Sequence, residues 1–268
     1  MDWEQNKKIS EDLNFITKNI GHFQEKIIFG KKIYLSNDII LARFKKNLDH
    51  VFKWMKILKL RKNCIILDIG ANIGINSICY KKIFKASKIY SFEPIKKTFN
   101  ALRKNVNKNN LSKSIKTFNF GLSDKKQKAS LSIPTKEQGE RYKYFLNSGL
   151  YSIHGKGKEK IRVNLQTLDQ FVNKQKMKKV DFIKIDVEGH EFEILQGALN
   201  TIKKFKPIIQ SEFNYITKSL SLKSDNHYLR FAEQYNYKIM LLGKGYKIIN
   251  KPNLNKIKKY NFSDFIFY

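Results

Sequence analysis

The sequence predicts an α/β fold, a mostly parallel seven-stranded sheet with helices on both faces, and three observations carry that expectation. Short apolar runs alternate with segments of helical spacing over most of the chain, the pattern of a parallel sheet built from crossover units. Two of those runs end in glycine-containing turns, Asp68-Ile-Gly-Ala-Asn-Ile-Gly74 and Asp186-Val-Glu-Gly-His190, each where a buried strand would hand over to a helix. A third run, 88–92, closes on a carboxylate, Glu93.

Taken in order, residues 10–20 have helical spacing behind Ser10, an N-cap type, and 26–29 with 32–35 suggest a hairpin turning at Gly30. Leu41, Phe44, Leu48, Val51, Met55 and Leu58 then recur in steps of three and four, an amphipathic helix whose apolar positions are core contacts. Residues 1–60 are therefore expected to be a helix and hairpin extension packed on a main domain spanning 61–268. That domain starts with a strand at 65–69 and a helix from Ile75, followed by a strand at 88–92, a helix at about 96–107 and a strand at 115–120. An insertion at about 121–179, between the third and fourth strands, holds strand-like runs at 129–133 and 160–165 and a short helix near Thr167. Its middle, 134–159, is long and irregular and reads as a flap on the substrate side, with His154 as a candidate substrate contact. Alternation resumes with a strand at 180–185, a helix from Glu191, a strand at 207–212 and a helix near 223–235. Runs at 237–242 and 262–268 complete five parallel strands plus a terminal pair.

The 268 residues carry 53 Lys plus Arg against 23 Asp plus Glu, a net charge of +30 that would attract nucleic acid, anionic lipid or acidic glycans. The excess is nearly all lysine spread along the chain, whereas arginine, which makes bidentate phosphate and guanine contacts, is scarce; nucleic acid is not the favoured partner. Two cysteines give no disulfide framework. With no signal-peptide pattern at the N-terminus and no apolar run approaching the ~18 residues of a membrane span, a cytoplasmic location is the expectation.

The first glycine turn reads as a cradle for a nucleoside cofactor. Gly70 and Gly74 permit a tight turn, and Glu93 lies where a doubly wound sheet offers an acid to ribose hydroxyls. The turn lacks the G-x-G-x-x-G order that admits a diphosphate, and Asp68 and Asn72 stand in its place. Acidic surroundings repel phosphate and suit a ligand with ammonium and sulfonium charges, such as S-adenosylmethionine (SAM). In the second turn Asp186 falls at the end of an apolar strand, so Asp68, Glu93, Asp186 and Glu188 would meet on one rim of the sheet. Such a gathering of acids calls for a shared cation. The sulfonium supplies one; a divalent metal such as magnesium on Asp186 or Glu188 is the alternative. Lys184, inside the same apolar strand, needs a carboxylate partner or an exit to solvent.

At this point a resemblance becomes specific. Asp68-Ile-Gly-Ala-Asn-Ile-Gly74, Phe92-Glu-Pro94, Gly121-Leu-Ser-Asp124, Thr167-Leu-Asp169 and Lys184-Ile-Asp-Val-Glu-Gly-His-Glu191 resemble, in order and spacing, the FkbM-type methyltransferases. The resemblance implies a Rossmann-like class I methyltransferase fold, SAM as cofactor, and a sugar, glycan or related metabolite methylated on a hydroxyl. It further implies that Gly70, Asn72 and Gly74 form the cofactor turn, that Glu93 holds the ribose diol and that Asp124 lies near the adenine. For the chemistry, Asp186 is the first choice to face the methyl group, Glu188 the second, and His190 a third candidate by its pKa range. Glu212, closing the 208–212 run, is a candidate for the acceptor pocket, and Asp169 is expected to stabilise the short helix. Two other readings are a methyltransferase acting on RNA or protein, and a basic nucleic-acid-binding module with a vestigial cofactor fold.

Overall fold

The structure, a computed structural model, describes residues 17–20, 23–28, 31–36, 62–132, 153, 160–214, 225–243, 248–250 and 262–268. The amphipathic helix expected at 37–58, most of the flap and His154 lie outside the described residues.

β1 (Thr17–Ile20), β2 (Phe23–Ile28) and β3 (Lys31–Ser36) form an antiparallel sheet. The predicted hairpin is β2 and β3. The helix expected over 10–20 is corrected at its end: Thr17–Ile20 is a strand, because the free edge of β2 is there to pair with and the β-branched Thr17 and Ile20 suit it. Ile33 of β3 is completely buried against the main domain. Asn109 fixes its neighbour: Tyr34 N–H donates to Asn109 Oδ1 at 3.1 Å, and Asn109 Nδ2 donates back to the Tyr34 carbonyl at 2.7 Å.

β4 (Ile65–Ile69), α1 (Ile75–Lys82), β5 (Lys88–Phe92), α2 (Lys96–Lys108) and β6 (Ile115–Phe118) alternate as predicted. β7 (Gly121–Leu122), β8 (Gln127–Ser132) and β9 (Lys160–Gln166) make a separate three-stranded sheet in the insertion. Leu131, Val163 and Leu165 give that sheet its own small apolar cluster, against which Ile153 packs. α3 (Leu168–Lys174) starts in a capping box, with Thr167 Oγ1 accepting from Gln170 N at 3.1 Å. After β10 (Phe182–Ile185) the expected single helix is two, α4 (Glu191–Gln196) and α5 (Leu199–Phe205), divided at Gly197. β11 (Ile208–Asn214), α6 (Asp225–Gln234), β12 (Ile239–Gly243), β13 (Ile248–Asn250) and β14 (Phe262–Phe267) complete the chain.

The main sheet runs β13-β12-β14-β11-β10-β4-β5-β6. It contains the seven predicted strands, and the short β13 extends one edge. β11, β10, β4, β5 and β6 are mutually parallel, and β14 inserts antiparallel between β11 and β12. Ile66, Ile89, Phe182 and Ile266 pack with α1 and α2 on one face. Leu67, Ile69, Ile183, Ile185 and Ile209 pack with α3 to α6 on the other, including the edge-on stack of Phe171 against Phe92 and Phe118. From β4 the chain proceeds outward through β5 and β6, and from β10 in the other direction through β11. The crevice between β4 and β10 is thus the switch point where open α/β sheets bind ligands.

Candidate active site

The turn from β4 to α1 is shaped by three residues with positive φ: Gly70 (73°), Asn72 (50°) and Gly74 (88°). A Cβ on Gly70 would collide with the Asp186 carbonyl oxygen, and one on Gly74 with the Leu102 side chain, so both positions need glycine for space as well as conformation. The Gly70 and Ala71 amides both donate to the Phe92 carbonyl, at 3.1 and 2.9 Å, fastening the turn to the end of β5. Glu93 follows immediately, 6% exposed, and accepts from Asn72 N at 3.1 Å and from Ile95 N at 2.9 Å. Burial, partly offset by those amides, pushes its carboxyl up to about 7.

Asp68 lies one layer below the turn. It is fully buried, accepts a hydrogen bond from Ser77 Oγ, and stands 3.9 Å from Lys184 Nζ. Ser77 also shares a hydrogen with Ser91 Oγ at 2.7 Å. The sheet register explains this grouping: Ser91, Asp68, Lys184 and Gln210 are successive cross-strand partners on β5, β4, β10 and β11. A buried polar row thus crosses the sheet, one step before β5, β4 and β10 end. Asp68 acts within that row, beneath the turn from β4 to α1. Burial raises its carboxyl despite Lys184 and Ser77. Lys184 has found the carboxylate partner its setting demands: Nζ is 2.9 Å from Asp186 Oδ2. Burial alone would lower the ammonium, but Asp186 and Asp68 outweigh it and hold its pKa above the usual lysine value.

Asp186 directly follows β10 beside Gly70, with its amide donating to the Ile69 carbonyl at 3.2 Å and its side chain 38% exposed. Burial works against its charge, but the Lys184 ammonium prevails and keeps the carboxyl below its ordinary range. Glu188 is held at φ 58° and Gly189 at φ 102°, so the following turn stores backbone strain at a non-glycine residue. Glu191 Oε1 ties that turn, accepting from Val187 N at 3.0 Å and Gly189 N at 3.1 Å, and burial pushes its carboxyl up to about 7. Asp186, Glu188 and Glu212 bring oxygens within 4.8 Å of one another, close enough to share one divalent cation. A proton relieves the same repulsion: burial and the Asp186 charge raise Glu212 and Glu188 well above the usual glutamate range, and the Glu212 carboxyl donates to Asp186.

Asp124 is exposed, just after β7, and its Oδ1 accepts from Ser123 Oγ at 2.9 Å. His190 is buried at the start of α4, its Nε2 2.9 Å from the same Ser123 Oγ. Asp169 stabilises the neighbouring helix: it accepts from Asn200 N, Thr201 N and Thr201 Oγ1 at the first turn of α5. The sequence reading missed Ser77, Ser91, Ser123, Glu191 and Asp264. Asp264 faces Glu212 across the β11–β14 pair and accepts from Gln210 Nε2 at 2.8 Å. Ser123 and Glu191 stand inside the Gly121–Asp124 and Lys184–Glu191 motifs, but their hydrogen bonds to His190 and to the turn amides are set by folding; Ser77, Ser91 and Asp264 lie outside every motif, and their roles follow from where the fold places them.

The donor set fits SAM. Two glycines keep side chains off the turn, the buried Glu93 carboxylate keeps acceptor capacity for hydroxyls beyond its two amides, and acids on the β10 side suit a cationic ligand. Among the described residues no helix is long and apolar enough to cross a membrane.

Comparisons with known proteins identify the family and the fold. The chain is 28% identical over 171 residues to the methyltransferase sdnD of Sordaria araneosa, covering 56% of this chain and 65% of that protein. It is 26% identical over 148 residues to the hexuronic acid methyltransferase AglP of Haloferax volcanii, covering 54% of each. The matches therefore span between about half and two thirds of these relatives' lengths. Among solved structures, the methyltransferase FkbM from Methylobacillus flagellatus superposes with a TM-score of 0.51 at 17% identity, covering 82% of this chain and 48% of that one, a likeness of fold. A family model of the methyltransferase FkbM domain matches residues 68–239, from the acid beneath the first turn to the start of β12. With the motifs of both turns inside that match, the chain belongs to the FkbM methyltransferase domain family, whose cofactor is S-adenosylmethionine.

Proposed function

We propose that this chain is a SAM-dependent O-methyltransferase acting on a hydroxyl of an acidic sugar or glycan. SAM supplies a methyl group on a cationic sulfur that leaves as a neutral thioether. The protein therefore needs mainly to hold the donor, align the acceptor oxygen and receive one proton. In this reading Gly70, Asn72 and Gly74 form the cofactor turn, Glu93 takes the ribose hydroxyls and Asp124 the adenine side. Asp68 supports them from below through Ser77 and Lys184.

The observation that carries the acceptor side is Asp186: a part-exposed carboxylate beside the cofactor turn, kept ionised by a buried lysine at 2.9 Å. It accepts the hydroxyl hydrogen and orients the oxygen, with Glu188 as the second carboxylate and Glu212 lining the pocket. The net charge of +30 favours an anionic acceptor, and the similarity to a hexuronic acid methyltransferase points the same way.

The test is transfer of labelled methyl from SAM to uronic-acid oligosaccharides, neutral sugars, RNA and protein, with and without a chelator. Label in an acidic sugar as an ether, undiminished by chelator, is the expected result. Label in RNA or protein alone overturns the acceptor class, and loss of transfer with chelator assigns the three carboxylates to a metal. Asp186→Asn should keep SAM affinity and lower turnover by about 10²- to 10⁴-fold; unchanged turnover removes Asp186 from the chemistry.

A further inference from the structure

We infer that His190 is a positioning residue for the cofactor: through Ser123 it fixes the Asp124 carboxylate, and so couples the acceptor-side turn to the adenine end of the donor pocket. The inference rests on the proposed placing of Asp124 beside the adenine.

The proton count decides the direction of the relay. Ser123 Oγ donates to Asp124 Oδ1 at 2.9 Å, so the single serine hydrogen points to Asp124. The oxygen that faces His190 Nε2, also at 2.9 Å, must then accept, which puts a hydrogen on Nε2. His190 Nδ1 is 3.7 Å from Glu193 Oε2, too far for a good hydrogen bond. Nε2 thus donates to Ser123 and is not free to take a proton from an acceptor hydroxyl.

The serine is well placed to transmit position. It is fully buried, and its amide donates to the Gln166 carbonyl at 3.0 Å. Its carbonyl presses on the site where Gly197 lacks a side chain, and a Cβ there would collide with it. Ser123 is therefore held between β9 and the end of α4. At the other end, His190 directly follows Glu188 and Gly189, whose positive φ values turn the chain away from Asp186. Within the described residues, the relay Nε2–H to Oγ–H to Oδ1 joins the loop of Asp124 to the turn of Asp186 and Glu188. An exposed aspartate on a loop would otherwise sample several rotamers. A donor fixed from the buried side selects the one that presents Oδ2 to the cofactor.

Binding of SAH, measured by calorimetry, tests this without knowledge of the acceptor. Ser123→Ala and His190→Phe should each weaken SAH about tenfold, and His190→Gln, which keeps an N–H, should stay within about threefold of the parent. In an Asp124→Ala background, Ser123→Ala and His190→Phe should add less than about twofold, because the group they position is gone. Parent-like SAH affinity in Ser123→Ala and His190→Phe, with Asp124→Ala weakened, overturns the relay and leaves the cofactor reading intact. Parent-like affinity in Asp124→Ala overturns the placing of Asp124 itself. Weakened binding in His190→Gln equal to His190→Phe, or full additivity with Asp124→Ala, reduces the contact to packing and also overturns the inference. Ligand-free melting of Ser123→Ala checks that the variant is folded.

Discussion

β4 and β10 lie side by side, run parallel and hand over to helices through turns that each need positive φ, yet the two turns are furnished differently. The β4 turn spends its unusual conformations on Gly70, Asn72 and Gly74 and lets the Asp186 carbonyl and the Leu102 side chain approach its glycines closely. The β10 turn places an acidic residue, Glu188, at φ 58° and surrounds it with Asp186 and Glu212. Each is stapled by a buried glutamate accepting from turn amides and titrating near 7, but Glu93 comes from the neighbouring strand while Glu191 belongs to the turn's own helix. The first turn is built around close packing, the second around acidic side chains. Lys184 links them, with Asp68 on one side and Asp186 on the other.

The link is the place to break the comparison. Lys184→Met leaves two acids facing each other without their cation and should cost about 3 to 5 kcal/mol in denaturant unfolding; a loss below about 1 kcal/mol would mean that the two turns are electrostatically independent. Gly70→Ala probes contact between the turns directly. Positive φ and collision with the Asp186 carbonyl should together remove about 2 to 3 kcal/mol and abolish SAM-induced stabilisation in a melting experiment.

The stapling glutamates give a pH signature. In the folded, ligand-free protein Glu93 and Glu191 hold protons up to about pH 7, whereas the unfolded chain releases them near its ordinary glutamate value of 4.5. Their contribution is complete below about pH 4.5 and is lost as pH rises through about 7, so this part of the stability curve slopes downward. Glu93→Gln should flatten about half of that slope, and saturating SAM should flatten the Glu93 half alone if its hydroxyls favour the ionised acid. An equal effect of SAM on a Glu191→Gln variant's remaining slope and on the parent's full slope would sharpen the assignment; no effect on either would detach Glu93 from the cofactor. Smallest of all, Glu188→Gly should relieve the left-handed backbone and raise stability by about 1 kcal/mol, read as a small rise in melting temperature.

Both turns and all seven main strands were legible because their signals are local: apolar runs, glycine spacing, and an acid at a strand end. What escaped is what register decides. Lys184 announced that it needed a partner; Asp186 is two residues further along the same segment, but the approach of Asp68 depends on β10 lying next to β4. Ser77 and Ser91 look like ordinary polar residues until Ser77 is placed between Asp68 and Ser91. Asp264 sits in a strand remote in sequence and gains its meaning only opposite Glu212. Thr17–Ile20 failed in the other direction, since helical spacing was overridden by the free edge of β2. The break at Gly197 was readable as a glycine, though its reason, the close approach of the Ser123 carbonyl, was not.

Asn109 gives the N-terminal hairpin an unusual footing. Its carboxamide, donating to and accepting from Tyr34, imitates a peptide unit of an adjacent strand, although it is a side chain at the end of a helix. The hairpin is consequently grafted to the body of the protein at a point that reads backbone rather than residue identity. A strand of quite different sequence would be accepted on the same mount, provided it offered one small apolar plug where Ile33 now sits.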